Sequence, residues 1–377
     1  MGCERMLKVL EVNVDDHLYG GVYVLVKNII KYLPSYINAD IAALEPFDDD
    51  NHIKELNGYG SNVYYVGSNR NKILKQIEIY RNVKKLIKEN QYDVVHLHSD
   101  VSHKILVSAL ASKRAKKLIF HSHANDADGG HLRARRLFHR FCCLFLKGIP
   151  ATYIATSKDS GKWMFPWAKE EDIIILDNGI EYRRYSLDLN KRKKIREELC
   201  IKDQLLIGLF GRFVPPKNPL YAVDILHAIL KENQNVRMLC IGEGPLKQEF
   251  IQRIKEAGLD KYVMFMGNTD VIEDYYQAID VLIMPSNNEG FGLVAVESQI
   301  SGTPTLVSTN VPEMTRISKI IQYLPLGPND VDKWKDAIID AKNYIKKDIS
   351  REIDYKYELC HLVDKIASIY IDQEVKQ

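Results

Sequence analysis

Two glutamates, Glu289 and Glu297, bracket the stretch EGFGLVAVE. Ionised carboxylates only accept hydrogen bonds, so such a pair is suited to holding hydroxyl groups. Gly290 and Gly292 between them let the backbone pass close to a ligand. If a helix starts near Phe291, the free N–H groups of Phe291, Gly292 and Leu293 face an anion at its N-terminus. Glu297 then lies less than two turns into the helix, and Glu289 stays in the loop before it. The plainer alternative is a loop glutamate and a partly exposed helix glutamate with no ligand. Upstream, Gly211-Arg212-Phe213 ends an apolar run and VPPKNP follows with Lys217. Two fixed positive charges past a strand's carboxyl end suit a diphosphate, although surface bases often have no partner but water. Gly242 and Gly244, followed by Pro245, form a turn like those that admit a nucleotide, without the third glycine of the dinucleotide fingerprint.

A second group of candidates lies in the first half. IFHSHAND carries His121 and His123, and Asp126-Ala127-Asp128 follows closely. With the two histidines, that D-x-D could bind a divalent ion. Further on, HLRARRLFHRFCCLFLKG (131–148) plots as a helix with Arg133, Arg136 and Arg140 on neighbouring turns and a Leu-, Phe- and Cys-rich side opposite. That pattern fits either a basic helix lying on an anionic leaflet or a core-facing helix with a solvated basic face.

These residues need elements to hold them. LKVLEVNV, ADIAAL, NVYYVG, DVVHLHS, KLIFHSH, TYIATS and DIIILDNG read as buried strands, with helices such as GGVYVLVKNIIKYL and KILKQIEIYRNVKKLIKEN between them. After the charged stretch LDLNKRKKIREELCIKDQ the alternation restarts with LLIGLFG, NVRMLCIG, YVMFMG, DVLIMP and TPTLVS. The expected architecture is α/β, with two doubly wound, Rossmann-like domains facing a ligand cleft. The expected limits are 1–185 and 186–350, with a hinge within 181–203 and a helical segment, 351–377, crossing back to the first domain.

The composition agrees with a soluble two-domain protein. Of 377 residues, 46% are hydrophobic and 27% charged, and the net charge is +2. Residues 70–147 alone hold 17 basic against 6 acidic side chains, an excess of +11 that suggests an anionic surface nearby. The six cysteines form no C-x-x-C pair or zinc spacing and read as reduced thiols. MGCERM lacks the Ser or Thr that an N-myristoylation signal needs, and no run is long enough for a signal peptide or membrane span. A cytoplasmic protein, peripheral on the inner face of the plasma membrane if the basic helix binds lipid, is expected. No nucleic-acid module is recognisable.

GRFVPPKNP, IGEGP, MGNTDVIEDYYQAIDVLIMPSNNEGFGLVAVES and SGTP, in this order and spacing, resemble the donor domain of GT-B glycosyltransferases of family 4, especially those that build bacterial capsules and exopolysaccharides. In the first half GGVYVLVKNI, DVVHLHS, IFHSHAND and DNGI resemble the same family. The resemblance implies a retaining transfer of a hexose from a nucleotide sugar, UDP-linked by preference, to a lipid-linked saccharide or glycan acceptor, with no metal or other cofactor. It implies that Glu297 accepts from the ribose hydroxyls and Glu289 from a hydroxyl of the transferred sugar. Arg212 and Lys217 would stabilise the leaving diphosphate, near Gly211, Gly242 and Gly244. Backbone around Thr269, Val271 and Ile272 would meet the base. Gly20 and Gly21 would approach the diphosphate from the first domain, and His123 would lie near the sugar and acceptor. Donor binding would then close the cleft. Three rivals stand beside this reading. The D-x-D is the metal signature of the other large glycosyltransferase architecture, which would leave the second domain, Arg212 and Lys217 without a role. A sugar-nucleotide epimerase or hydrolase shares the fold. A two-domain sugar-binding protein has similar sheets but needs export and no diphosphate site.

Overall fold

A computed structural model of the chain describes residues 5–16, 21–124, 132–176, 179–289, 291–349 and 358–371. The chain divides into two compact units, residues 1–179 with 356–377 and residues 180–355.

The first unit runs β1 (Leu7–Val12), α1 (Gly21–Tyr32), β2 (Ile37–Ala43), α2 (Asp50–Gly58), β3 (Val63–Tyr65), α3 (Lys72–Asn90), β4 (Val94–Ser99), α4 (Ser102–Ala111), β5 (Lys117–Ser122), α5 (Leu132–Leu146), β6 (Thr152–Ala155), α6 (Lys158–Met164) and β7 (Ile173–Ile175). Its strands form one parallel sheet in the order β3-β2-β1-β4-β5-β6-β7. The strand order reverses between β1 and β4, and ligands of such sheets bind beyond the carboxyl ends of the strands at that point. Local signals set the helix limits. Asn71 accepts from the Leu74 N–H at the start of α3, and Gln91 ends it in the left-handed region at φ 53°.

The second unit continues with α7 (Tyr182–Tyr185), α8 (Leu189–Glu198), β8 (Leu205–Phe210), α9 (Tyr221–Leu230), β9 (Val236–Ile241), α10 (Lys247–Glu256), β10 (Val263–Met266), α11 (Ile272–Ala278), β11 (Val281–Met284), α12 (Leu293–Ile300), β12 (Thr305–Ser308), β13 (Ile321–Leu324) and α13 (Val331–Ala341). Its parallel sheet has the order β10-β9-β8-β11-β12-β13, with the reversal between β8 and β11. LLIGLF in β8 is buried throughout, as a strand covered on both faces requires. β13, a four-residue edge strand whose Gln322 is exposed, has no counterpart among the expected strands.

The charged stretch around residues 186–203 is not a linker. α8 packs on α11, where the Arg192 guanidinium donates to the carbonyls of Gln277, Ala278 and Ile279 and pairs with Asp280, which Arg196 also engages at 3.1 Å. Those carbonyls end α11, and cations are favourable there. The division therefore falls at Ile180, before α7 rather than after it.

The last described helix, α14 (Leu359–Tyr370), belongs to the first unit. Leu359, Leu362, Val363, Ile366 and Ile369 join Val9, Val26, Ile29, Val94 and Ile119 in one core. The i, i+3, i+4, i+7 spacing of its apolar residues gives the helix this buried stripe.

Candidate active site

In the second unit β8 leads through Gly211 to Arg212 and Phe213, and a short 3-10 turn at Pro215–Lys217 follows. Phe213 is buried and directs the loop inward. Gly242 and Gly244 hold this loop from behind. They have φ of +136° and +153°, and an added Cβ would come within 2.1 Å of the Gly211 carbonyl oxygen and 2.5 Å of that of Phe213. Backbone bonds join the two loops, Phe213 N–H to Glu243 O and Leu246 N–H to Phe213 O, both 2.9 Å. These two glycines are thus required by close approach to the loop that carries Arg212. An added Cβ at Gly211 would instead meet nothing within 4 Å.

Beyond the end of β11, Ser286 and Glu289 face the same depression, which Gly211, Arg212, Phe213, Lys217, Pro285 and Val294 also line. Glu289 is 5% exposed. Lys217 pairs with its Oε2, and the Ser286 hydroxyl donates to its Oε1 at 2.7 Å. Arg212 is exposed, and among the described residues nothing engages its side chain. α12 begins at Leu293, two residues later than Phe291, because Gly292 takes the N-cap position at φ 89°. Gly292 brings no capping side chain, so among the described residues the N–H groups of Leu293 and Val294 are left for another acceptor.

Glu297 lies one turn along α12. The Tyr276 hydroxyl donates to its Oε2 at 2.7 Å and the Tyr185 hydroxyl to its Oε1 at 3.1 Å. Burial pushes the Glu297 carboxyl above its usual range, while the two tyrosine hydrogen bonds pull it back. An ionised carboxylate has about four acceptor positions, so two remain for further hydroxyls. Tyr276 and Tyr185 carry no signal in the sequence: Tyr276 is one of two adjacent tyrosines in the mixed polar and apolar segment IEDYYQA, and Tyr185 lies in the apparent linker. Ser286 is equally silent. Thr269, Val271 and Ile272 follow β10, with the Val271 N–H donating to Thr269 Oγ1 at 3.3 Å and α11 starting at Ile272. The loop therefore shares α11 with Tyr276.

In the first unit, His123 follows β5 and is half-buried. Its Nε2 lies 2.9 Å from His98 Nδ1, and His98 Nε2 lies 2.7 Å from Glu11 Oε2. Burial, then the neighbouring His98 and His96, hold His123 well below the usual histidine range. Burial, then His96, pushes His98 down to about 4. Gly21 opens α1, and an added Cβ there would meet nothing within 4 Å. Gly20, Gly290, Asp126, Asp128, Asp177 and Asn178 lie outside the described residues.

Arg133, Arg136 and Arg140 are exposed on α5. The apolar residues of this helix divide, contrary to a simple two-sided plot. His139, Cys142, Cys143 and Leu146 are buried, with the His139 ring stacked on Trp163 at 3.9 Å. Leu137 and Leu144 are 72% and 70% exposed, and Phe138, Phe141 and Phe145 each remain more than half exposed at 54%, 54% and 52%. The arginines thus border an outward apolar strip. No helix of the described residues is long and apolar enough to cross a membrane.

Arg212, Lys217, Glu289 and the start of α12 are therefore brought together in residues 180–355, with Glu297 one turn further on. Residues 19–184 match the family model described as Glycosyltransferase Family 4, and residues 190–347 match Glycosyl transferases group 1. The glycosyltransferase EpsF of Bacillus subtilis is 26% identical over 85% of this chain and 84% of its own. The UDP-Gal:alpha-D-GlcNAc-diphosphoundecaprenol alpha-1,3-galactosyltransferase of Escherichia coli is 23% identical over 81% of this chain and 82% of its own. Among solved structures, Anabaena HepE in complex with UDP and glucose superposes with a TM-score of 0.73 at 19% identity, covering 97% of this chain and 95% of that one. A glycosyltransferase from Rickettsia africae gives 0.75 at 18%, covering 97% and 98%.

Proposed function

Because the chain belongs to the GT-B glycosyltransferases of family 4, we propose that it moves a hexose, with retention of anomeric configuration, from a UDP-sugar to a lipid-linked saccharide or glycan acceptor in capsule or exopolysaccharide synthesis. The observation that carries the reading is the second-unit depression, which joins Arg212, Lys217, Glu289 and the first turn of α12, with Glu297 one turn further along that helix and held by two tyrosine hydroxyls. The diphosphate takes Arg212, Lys217 and the first N–H groups of α12. Glu289 accepts from a sugar hydroxyl and Glu297 from the ribose. As the glycosidic bond breaks, charge grows on the leaving phosphate, where fixed cations lower the barrier most. The phosphate then takes the acceptor's proton on the face it leaves, so no carboxylate nucleophile is required, unlike the paired-carboxylate scheme of glycosidases. The E. coli relative's name, with UDP-galactose as donor and a diphosphoundecaprenol acceptor, supports the substrate classes. No step calls for a metal.

The acceptor reading agrees with α5, whose exposed Leu and Phe strip beside Arg133, Arg136 and Arg140 has the chemistry of a helix resting on an anionic leaflet. The direct test is to incubate the protein with a panel of nucleotide sugars and follow donor hydrolysis and thermal stabilisation. A donor at a hundred times its dissociation constant adds about 2.7 kcal/mol. Stabilisation by UDP-sugars with slow hydrolysis is expected. Indifference to every member of the panel would overturn the reading.

A further inference from the structure

The first unit holds a second concentration of chemistry that the proposed transfer does not use, at the reversal between β1 and β4. Parallel strands buried on both faces ordinarily carry aliphatic side chains there. Here β1 contributes Glu11, β4 contributes His96 and His98, and β5 contributes His121, all of them 1% exposed or less. Tyr370 of α14 covers them, its hydroxyl donating to Glu11 Oε1 at 2.5 Å.

Glu11 sets the tautomers. Its Oε2 lies 2.7 Å from His98 Nε2 and 3.1 Å from His96 Nδ1. A carboxylate only accepts, so in the neutral rings both of these nitrogens carry the proton. The lone pairs then sit on His98 Nδ1 and His96 Nε2. His96 Nε2 has no protein partner among the described residues, and neither nitrogen of His121 has one. An interior polar network tying down α14 would explain Glu11, Tyr370 and one side of His96. It leaves three buried nitrogens unpaired, each at a cost of roughly 1–3 kcal/mol.

We propose that His96, His98 and His121 form a binding site for one divalent ion of the zinc class, with Glu11 orienting two of the three ligands. One ligand atom from each of the three rings lies within 4.8 Å of the others, all inside a single unit. Zinc–nitrogen bonds of about 2.0–2.1 Å place tetrahedral ligands about 3.4 Å apart, so on binding the rings draw together from their present spacing of up to 4.8 Å. Three imidazoles with no carboxylate among the ligands favour zinc, copper or nickel over magnesium or calcium. A carboxylate bonded to the outer N–H of ligating histidines is the usual second layer of such sites. The site differs from one built on the Asp126/Asp128 pair. Binding would occupy the His98 lone pair that now faces His123 Nε2 at 2.9 Å, freeing His123 from that contact.

The test uses the full chain, stripped with chelator and then dialysed against micromolar zinc or cobalt. Elemental analysis should find about one ion per chain, and the cobalt form should show the visible bands of a tetrahedral site. His96→Gln and His121→Gln should each abolish binding, while His227→Gln, an exposed histidine of the second unit, should leave it intact. Glu11→Gln should keep one ion per chain with affinity about 10–100-fold lower. Less than about a tenth of an equivalent in the native chain would overturn the proposal, whatever the variants do. So would metal retained in both His96→Gln and His121→Gln.

Discussion

Glu297 has two duties that pull in opposite directions. As an ionised acceptor it is expected to hold the ribose, and Glu297→Gln should weaken donor binding by about 1.5–3 kcal/mol, roughly 10- to 150-fold, read by calorimetry. Yet burial raises its pKa above the ordinary 4.5. A raised carboxyl contributes stability while neutral, fully present below the unfolded value and lost as pH rises through the folded one. Glu297→Gln stays neutral throughout, so it should melt above the native protein at pH 7 to 8. The gap should close toward pH 4, and a variant that melts lower at neutral pH would refute this. The two cations differ as well. Lys217 neutralises buried Glu289, so Lys217→Ala leaves that carboxylate with the Ser286 hydroxyl as its donor among the described residues and should cost stability of about 3 kcal/mol together with turnover. Arg212 has no such partner among the described residues, so Arg212→Ala should lower kcat about a hundredfold with little change in melting. Equal melting losses in the two variants would contradict the asymmetry. The charged groups were legible because carboxylates and bases at strand ends stand out in a sequence. Tyr276 and Tyr185 were not, since a tyrosine in a helix becomes a carboxylate's donor only through the packing of α7 and α11 on α12.

Among the elements, the strands that read as uninterrupted β-branched or apolar runs are all present, and β13 escaped because IQYL is short and half polar. The stretch around 189–198 misled because its charges suggested solvent, whereas Arg192 and Arg196 spend theirs on the carbonyls and aspartate at the end of α11. The same difficulty affects α5. Its periodicity shows an amphipathic helix but not that Leu137, Phe141 and Leu144 face outward while Cys142 and Cys143 face in. Membrane binding through this helix should therefore need both components. An Arg133/Arg136/Arg140→Gln variant should lose salt-sensitive binding to anionic vesicles, at about 1 kcal/mol for each charge. Leu137→Ser with Phe141→Ser should lose the part that survives high salt. A native protein that ignores such vesicles at low salt would remove α5 from membrane docking.

At the level of the whole chain, the two units repeat one plan, strands ordered outward from a central first strand and a reversal beside it. They differ in how they are completed. The second is continuous from 180 to 355, whereas the first draws its final core layer from 356–377. Ile366 is fully buried in that layer, and Ile366→Ala should destabilise the first unit by about 2–5 kcal/mol. Donor affinity should stay within twofold at temperatures where the variant is folded, because the assigned donor carboxylates and cations lie in residues 180–355. A matching loss of affinity would show that the donor site depends on the first unit's core. The discontinuity also bears on synthesis. The strands of the first unit leave the ribosome early, but α14 is not made until about 190 residues later, an interval of about 10–40 s at ordinary elongation rates. Through that interval the apolar face that α14 will cover, Val9, Ile29 and Ile119 among it, has only solvent or a chaperone against it. The order of folding should then be inverted relative to the order of translation: the carboxyl-terminal unit can finish first, and the amino-terminal one closes last.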